Sequence, residues 1–148
     1  MIKTILFDGK NRPTEFEKQE IIDFLFKNLD EFGDSRDDIE KAINYALKES
    51  ISYGGFILEA IEKDKISSIV VINKTGMQGY IPENILVYIA THKKLRGKGI
   101  GKEIMSKAIE IAEGNIALHV EPNNPAKFLY EKLGFTNKYL EMRYIKNK

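Results

Sequence analysis

The chain has 148 residues, 43% apolar and 30% charged, without cysteine or tryptophan, and this length predicts one domain, residues 1–148, with a full hydrophobic core. The lack of cysteine excludes disulfide frameworks, thiol catalysis and Cys-containing zinc sites, and because only two histidines are present we expect no metal cofactor. The formal net charge of +1 argues against a nucleic-acid-binding protein, which needs an excess of basic residues for phosphate contacts.

The N-terminal part of the sequence predicts a strand followed by two helices. The first ten residues hold an apolar run of only three, so we expect no signal peptide or membrane anchor, and a soluble, cytoplasmic protein. A strand is predicted at residues 4–7. Thr14 and Glu17 have the spacing of a capping box, and the apolar periodicity that follows predicts a helix ending at Gly33. Ser35 is a typical cap for the second helix.

The middle of the sequence predicts strands that pair locally. Residues 56–62 and 66–73 are apolar, β-branched runs separated by three polar residues, which is typical of an antiparallel hairpin. After a glycine-containing loop, residues 85–91 form a nearly continuous apolar run. Such a run is typical of a strand buried on both faces, so we expect this strand at the centre of the sheet.

The C-terminal part alternates helices with strands. Helical periodicity over residues 99–113 is followed by a strand at 115–121, and a short helix begins after Asn124 and ends at Gly134. A last strand is predicted at residues 139–145. The order β-α-α-β-β-β-α-β-α-β predicts an α/β domain with a mixed sheet.

The segment at residues 93–102 joins the buried strand to the next helix and carries the strongest chemical signal. Glycines allow close approach of the backbone to a ligand, and the first turn of a helix favours a phosphate or diphosphate. A tight turn with glycines used only for packing is the alternative, but three glycines beside three bases exceed what a turn requires. The anion site is predicted at Arg96, Gly97, Lys98, Gly99, Ile100 and Gly101, with Lys102 adding charge.

Charge is distributed unevenly along the chain. Residues 11–50 hold 11 acidic and 6 basic residues, whereas residues 91–148 hold 12 basic and 6 acidic ones. Both sets can be solvated helix faces, as most surface charges are. The basic half also suits a local anionic ligand.

Two familiar phosphate-binding templates do not fit this segment. A Walker A loop would need glycine where the chain has Arg96, and a hydroxyl residue where Glu103 follows the lysine. The dinucleotide fingerprint would need a small residue at Lys102. NAD binding is therefore disfavoured, and an ATP- or GTP-binding protein remains only as a third hypothesis.

The pattern Arg96-x-x-Gly99-x-Gly101, placed between a buried strand and a helix, resembles the acetyl-CoA diphosphate loop of the GNAT superfamily of N-acetyltransferases. Residues 123–135 are similar to the family's other signature, Asn-x-x-Ala followed by Leu-Tyr-Glu-Lys-Leu-Gly-Phe. Together the resemblance covers about residues 83–135. It implies a GNAT-like acyl-CoA N-acyltransferase fold, acetyl-CoA as cosubstrate and direct transfer to a primary amine in a ternary complex.

The resemblance also implies roles for individual residues. The strand before the loop would splay from its neighbour, so that backbone groups of Ile89 and Thr91 pair with the pantetheine arm. Asn123 would contact the cofactor and Phe128 would pack near the arm. Tyr130 matches the tyrosine that protonates the departing thiolate. From periodicity alone, Tyr130 would instead be a core residue with its hydroxyl at the rim.

The sequence leaves the general base open. Glu83 lies thirteen residues before Arg96, where the histone-acetylating branch of the family places a glutamate base, and only this spacing supports it. Glu59, Glu121 and His119 are competitors, and an ordered water relay without a dedicated base is a further alternative.

Partners follow from the same resemblance. Acetyl-CoA and an amine acceptor are expected, without nucleic acid or membrane, and a homodimer is open because the family often forms dimers. The acid-rich stretch of residues 15–40 favours a cationic acceptor. A non-catalytic acyl-CoA-binding or regulatory module of the same fold is the competing hypothesis, against which Tyr130 favours an enzyme.

Overall fold

A five-stranded sheet lies between two pairs of helices in the computed structural model, which describes residues 2–147. Short 3₁₀ turns, at Asp30–Phe32 and Lys93–Leu95, precede the second and third helices. The strands are β1 (Lys3–Phe7), β2 (Gly55–Glu62), β3 (Lys65–Lys74), β4 (Asn84–Thr91) and β5 (Ile116–Leu118). The helices are α1 (Glu15–Asn28), α2 (Arg36–Ala46), α3 (Ile100–Ile111) and α4 (Ala126–Lys132).

The sheet is mixed, as the sequence predicted. Its strand order is β1-β2-β3-β4-β5, with antiparallel pairing from β1 to β4 and parallel pairing between β4 and β5. The prediction that the strand at residues 85–91 is central was wrong, because β3 occupies the centre and is continuously buried over residues 67–73. In β4, buried residues alternate with half-buried ones, and β5 pairs only with its first three residues.

Side-chain caps fix where the first two helices begin. The Thr14 N–H donates to Glu17 Oε1 at 2.8 Å and the Glu17 N–H donates to Thr14 Oγ1 at 3.1 Å, which completes the predicted capping box. Ser35 Oγ accepts from the Asp38 N–H at 3.2 Å. Helix α1 ends at Asn28 rather than near Gly33, because Asp30 turns left-handed with a φ of 54°.

The sheet separates two hydrophobic clusters. On the α1/α2 face, Ile21 and Ile43 of the helices pack on Ile57 and Ile69 of the sheet. On the α3/α4 face, helix side chains such as Ile104 likewise pack on the sheet. No helix within residues 2–147 combines the length and apolar character needed to cross a bilayer.

The predicted last strand is not formed. Residues 139–145 have no strand assignment, and four apolar side chains in this segment are 79% to 89% exposed. A strand is stabilised by pairing with a neighbour, and β5 is too short to pair with a seven-residue strand, because it ends at Leu118 rather than extending over residues 115–121. The observed order is therefore β-α-α-β-β-β-α-β-α.

Candidate active site

A cavity of about 320 Å³ lies where the C-terminal end of β4 meets the N-terminus of α3 on the α3/α4 face. The strand supplies Thr91, and the loop and the first turn of α3 supply Gly97, Gly99, Ile100, Gly101 and Lys102. Five of the residues predicted to bind the cofactor line this one cavity: Thr91, Gly97, Gly99, Ile100 and Gly101.

The loop before α3 has the backbone geometry of an anion cradle. Gly97 and Gly99 have φ values of 79° and 82°, in the left-handed region that side chains other than glycine rarely adopt. A Cβ at either position would have no atom within 4 Å, so these glycines do not serve packing. The N–H groups of Ile100, Gly101 and Lys102 have no acceptor among residues 2–147. Such unpaired groups at a helix N-terminus favour an anion.

Arg96 begins the motif, but its side chain does not line the cavity. Its Nη2 donates to the Asn28 carbonyl at 2.6 Å and its Nε donates to the Thr91 carbonyl at 3.3 Å. The guanidinium also pairs with Asp30, with Nη1 to Oδ2 at 3.5 Å. Arg96 therefore joins the C-terminal end of α1 to the end of β4, and only its backbone remains for the predicted anion site.

Lys93 makes a second connection between α1 and the loop. Its N–H donates to Asn28 Oδ1 at 3.2 Å, and its ammonium pairs with Asp30 Oδ1 at 2.7 Å. The hydrogen bond from Lys93, together with the charges of Lys93 and Arg96, holds the pKa of Asp30 below its usual value. Asp30 is therefore ionised at neutral pH. We call the group formed by Asn28, Asp30, Lys93 and Arg96 the α1 clasp.

A β-bulge and the end of strand pairing open the sheet beside the cavity. Val71 pairs with Tyr88 and Ile72 pairs with Leu86, which leaves Val87 as an extra residue. The parallel pairing of β4 with β5 also stops at Leu86. The residues of β4 beyond this point, 87–91, therefore have no β5 residue opposite them. We call the side of residues 87–91 that faces away from β3 the open edge.

Strand geometry assigns Ile89 and Thr91 to the open edge. The N–H of His92 donates to Ser67 on β3 at 2.9 Å. Backbone groups of successive strand residues point to alternate sides, so those of Ile89 and Thr91 point away from β3. The Thr91 carbonyl already accepts from Arg96, which agrees with this direction.

Tyr130 is buried on α4, with 7% of its surface exposed, and its ring meets the edge of Phe135 at a centroid distance of 5.8 Å. Its hydroxyl has no hydrogen-bond partner in the described chain, yet it is not among the fully enclosed, unpartnered polar atoms. The oxygen therefore keeps contact with solvent. Burial raises the pKa of Tyr130 to about 12, so the phenol is protonated at neutral pH.

Glu83 is engaged by the backbone around the start of β5. Its Oε1 accepts from the Asn115 N–H at 2.7 Å and its Oε2 accepts from the Gly79 N–H at 3.2 Å. These hydrogen bonds, the one from Asn115 first, hold the pKa of Glu83 below its usual value. Glu83 precedes β4, at the opposite end of the strand from Thr91 of the cavity. Because backbone N–H groups occupy both of its carboxylate oxygens, these contacts argue against Glu83 as the general base.

The competing base candidates are not at the cavity either. Glu59 is buried on the α1/α2 face. It pairs with Ile69 of β3, which pairs with Ala90 of β4, so Glu59 lies two strand spacings, about 10 Å, from β4. Burial, reinforced by Glu17 and Glu20 of α1, raises the pKa of Glu59 to about 7. His119 and Glu121 are exposed.

Asn123 and Phe128, near the start of α4, were predicted to contact the cofactor or to pack near its arm. Phe128 is 67% exposed and lies outside the cavity, whereas Leu129 lines it. The reason is helical periodicity, since Ala126, Tyr130 and Leu133 turn towards the sheet and Phe128 does not. Asn123 is exposed and its side chain makes no hydrogen bond within the described residues.

Three residues of the cavity wall were not predicted from the sequence. Leu95 lies in the 3₁₀ turn, and Leu129 and Lys132 lie three residues apart on α4. The spacing of Leu129 and Lys132 on one helix face was a signal that could have placed them together. Lys102 and Lys132 line the cavity from separate helices, whereas Lys98 is exposed outside it.

Comparison with known proteins gives one family match. A model of the acetyltransferase (GNAT) family matches residues 19–135. No curated protein sequence matches the chain.

Solved structures share the fold over nearly the whole chain. A putative acetyl transferase from Pyrococcus furiosus is 22% identical, with 97% of this chain and 100% of that chain covered and a TM-score of 0.66. An aminoglycoside N-acetyltransferase in complex with CoA is 12% identical, with coverages of 100% and 97% and a TM-score of 0.69. A ribosomal-protein-alanine N-acetyltransferase from Brucella melitensis biovar Abortus 2308 is 16% identical, with 99% of each chain covered and a TM-score of 0.65.

Proposed function

Because this chain belongs to the acetyltransferase (GNAT) family, we propose that it transfers the acetyl group of acetyl-CoA directly to a primary amine in a ternary complex. One observation carries the proposal: the unpaired N–H groups at the start of α3 and the open edge of β4 meet at a single cavity. Acetyl-CoA supplies the activated acyl group as a thioester.

The residues around the cavity fit a diphosphate. Gly97 and Gly99 leave the space that side chains would fill, and the first turn of α3 offers main-chain donors beside it. Lys102 and Lys132 add positive charge at the wall. Backbone donors at a helix N-terminus suit phosphate oxygens whatever the neighbouring side chains are. Recognition of the diphosphate therefore does not require the Arg96 side chain.

The open edge suits the acyl arm. A backbone N–H of Ile89 or Thr91 that points into the gap can donate to an amide or thioester oxygen of the arm. Such a donor stabilises the thioester oxygen as it gains negative charge during attack by the amine. The bulge at Val87 fixes where this edge begins.

Tyr130 is proposed as the acid. With a pKa of about 12 it remains protonated at neutral pH, and its oxygen keeps contact with solvent. It provides the proton that sulfur takes as the carbon–sulfur bond breaks and the carbon–nitrogen bond forms. Solvent returns a proton to Tyr130 and receives the one lost by the amine. We infer a water relay because Glu83 is held by the backbone and Glu59 lies two strands away.

The acceptor is proposed as a cationic primary amine that approaches from the α1/α2 face. On that side the hydroxyl of Tyr88, at the bulge, donates to Asp34 Oδ2 at 2.6 Å, which places a carboxylate near the open edge. Proteins of the same fold are named for acetylating an aminoglycoside and a ribosomal protein, both of which carry amines. A carboxylate beside the gap attracts such a cation.

Thermal unfolding with acetyl-CoA, CoA, ATP with magnesium, and NAD tests this proposal. A ligand that binds only the folded state raises the apparent stability by mass action, and we expect this for CoA and acetyl-CoA alone. Thiol release with a panel of amines then identifies the acceptor class. Stabilisation by ATP and not by CoA would contradict the proposal. CoA binding without thiol release from any amine would favour the non-catalytic acyl-CoA-binding module.

A further inference from the structure

Two hydroxyls and a carbonyl form a short chain from the sheet to the cavity. Ser68 is fully buried on β3 and is paired in register with Thr91 on β4. Ser68 Oγ lies 2.9 Å from the carbonyl of Ala90 and 3.1 Å from Thr91 Oγ1. Thr91 in turn lines the cavity, so the chain ends at the proposed cofactor site.

Counting hydrogens fixes the direction of this chain. A hydroxyl has one hydrogen to donate, and a carbonyl has none. The Ala90 carbonyl can therefore only accept, and Ser68 must donate to it. Because the hydrogen of Ser68 is then used, the contact with Thr91 requires Thr91 to donate to Ser68. Any other assignment places two lone pairs against each other at hydrogen-bond distance.

Thr91 consequently faces the cavity as an acceptor only. Its single hydrogen points into the sheet, so neither lone pair of Oγ1 has a donor among the described residues, and Thr91 lines the cavity. Phosphate oxygens at neutral pH also accept, so a diphosphate gains nothing from Thr91 and is better placed over the N–H groups of α3. The two positions are close together, since Oγ1 lies 3.7 Å from where a Cβ at residue 101 would stand.

We infer that Thr91 Oγ1 accepts a hydrogen bond from the arm of CoA, from a hydroxyl or amide N–H next to the diphosphate. The inference rests on the proposed function and deepens it. Thr91 ends β4, between the α3 N-terminus and the rest of the open edge. The acceptor at Thr91 and the N–H donors at the start of α3 together set the direction of the ligand. Its diphosphate lies over α3 and its arm runs along β4.

Substitution of Thr91 with its isostere tests the inference without relying on activity. Calorimetry on wild type, Thr91→Val and Thr91→Ser compares CoA with its ADP fragment, which has the diphosphate but no arm. A single neutral hydrogen bond corresponds to a loss of roughly twofold to tenfold in affinity. We expect this loss for CoA with Thr91→Val, wild-type affinity for the fragment, and retention of both with Thr91→Ser.

The outcomes separate this inference from the proposed function. Equal CoA affinity in Thr91→Val and wild type would overturn the role of Thr91 while leaving the function intact. Equal losses for CoA and the fragment would also overturn it, because the valine would then have disturbed the diphosphate site. Failure of the wild-type protein to bind CoA would overturn the proposed function together with the inference.

Two further measurements test which group of CoA donates to Thr91 and in which direction the hydroxyl hydrogen of Thr91 points. A CoA analogue without the hydroxyl next to the diphosphate should abolish the difference between wild type and Thr91→Val if that hydroxyl is the donor, and preserve it if the amide is. Ser68→Ala frees the hydrogen of Thr91 to point into the cavity, so we expect at least twofold tighter binding of the ADP fragment. Unchanged or weaker binding of the fragment in Ser68→Ala would contradict the assigned orientation.

Discussion

The two faces of the sheet are built differently around the gap in β4. On the α3/α4 face, the cavity is lined by glycines and unpaired main-chain N–H groups. On the α1/α2 face, Ile21, Ile43 and Ile57 are fully buried, and the hydroxyl of Tyr88, a residue of the strand that borders the gap, donates to Asp34. Under the proposed function, this contrast means that the cofactor would be recognised mainly through backbone geometry and the acceptor through side chains.

The largest expected effect concerns chemistry on the α3/α4 face. Tyr130→Phe removes the proposed acid and keeps the ring that packs on Phe135. We expect turnover to fall by about 100-fold, the lower range for loss of general acid catalysis, while the affinity for CoA stays within twofold. Steady-state kinetics and calorimetry measure the two quantities. Unchanged turnover would remove Tyr130 from the mechanism.

A buried carboxyl makes the α1/α2 face sensitive to pH. Glu59 has a folded-state pKa of about 7 against an ordinary value of 4.5, so its contribution to stability is lost as pH rises from 4.5 through 7. We expect the free energy of unfolding of Glu59→Gln to exceed that of wild type by about 2 kcal/mol at pH 8. At pH 4 the two free energies of unfolding should be similar. Denaturant unfolding at the two pH values measures this.

The matched control for Glu59 is Glu20→Gln, which lowers the repulsion but keeps the buried carboxyl. It should change the pH dependence in the same direction by a smaller amount. CoA affinity should be unaffected in both variants, since both residues lie on the α1/α2 face. A change in CoA affinity would mean that the two faces are not independent at this point.

Two glycines with the same geometry test the backbone cradle. Gly99 and Gly79 have φ values of 82° and 79°, and a Cβ at either would meet no atom within 4 Å. Substitution by alanine should therefore lower the free energy of unfolding by a similar amount at each position, about 1 kcal/mol. Only Gly99→Ala alters the loop at the cavity, and we expect its CoA affinity to fall about tenfold, equivalent to about 1.4 kcal/mol. Equal CoA affinity in the two variants would contradict the cradle.

The smallest expected effects come from the α1 clasp, which joins the faces. Arg96→Lys keeps the charge near Asp30 but loses the fork that reaches the Asn28 and Thr91 carbonyls. We expect KM for acetyl-CoA to rise about fivefold with kcat unchanged, as for the loss of one or two hydrogen bonds that position a loop. Asp30→Asn, which tolerates the left-handed backbone, should have a smaller effect in the same direction. A fall in kcat alone would contradict a positioning role.

The parts of the fold that could be predicted depend on local sequence. Capping boxes, helix periodicity and the glycine loop are each specified within a few residues, and the structure confirms the mixed sheet and four helices. The strand at residues 139–145 was wrong because alternation shows that a segment can be a strand, but not that an edge exists to receive it. The packing of Phe128 near the arm was predicted from a family pattern, and the cavity wall is instead formed by its neighbour Leu129.

The partners of the Arg96 side chain could not be predicted for a related reason. Its partners Asn28 and Asp30 lie 68 and 66 residues earlier in the chain, and no local pattern links them. The sequence showed a base beside three glycines and indicated an anion ligand, but a carbonyl at the end of a helix attracts a guanidinium as well. Only the packing of α1 beside β4 decides between the two.

The α1 clasp also limits how the protein can be redesigned. Helix α1 is a natural place to vary when a different amine is to be accepted, yet its last turn carries the residues that hold Lys93 and Arg96. Under the proposed function, we expect a library that randomised the whole helix to weaken coenzyme binding in most of its members and to hide any new specificity. Variation confined to positions before Asn28 leaves that anchorage intact.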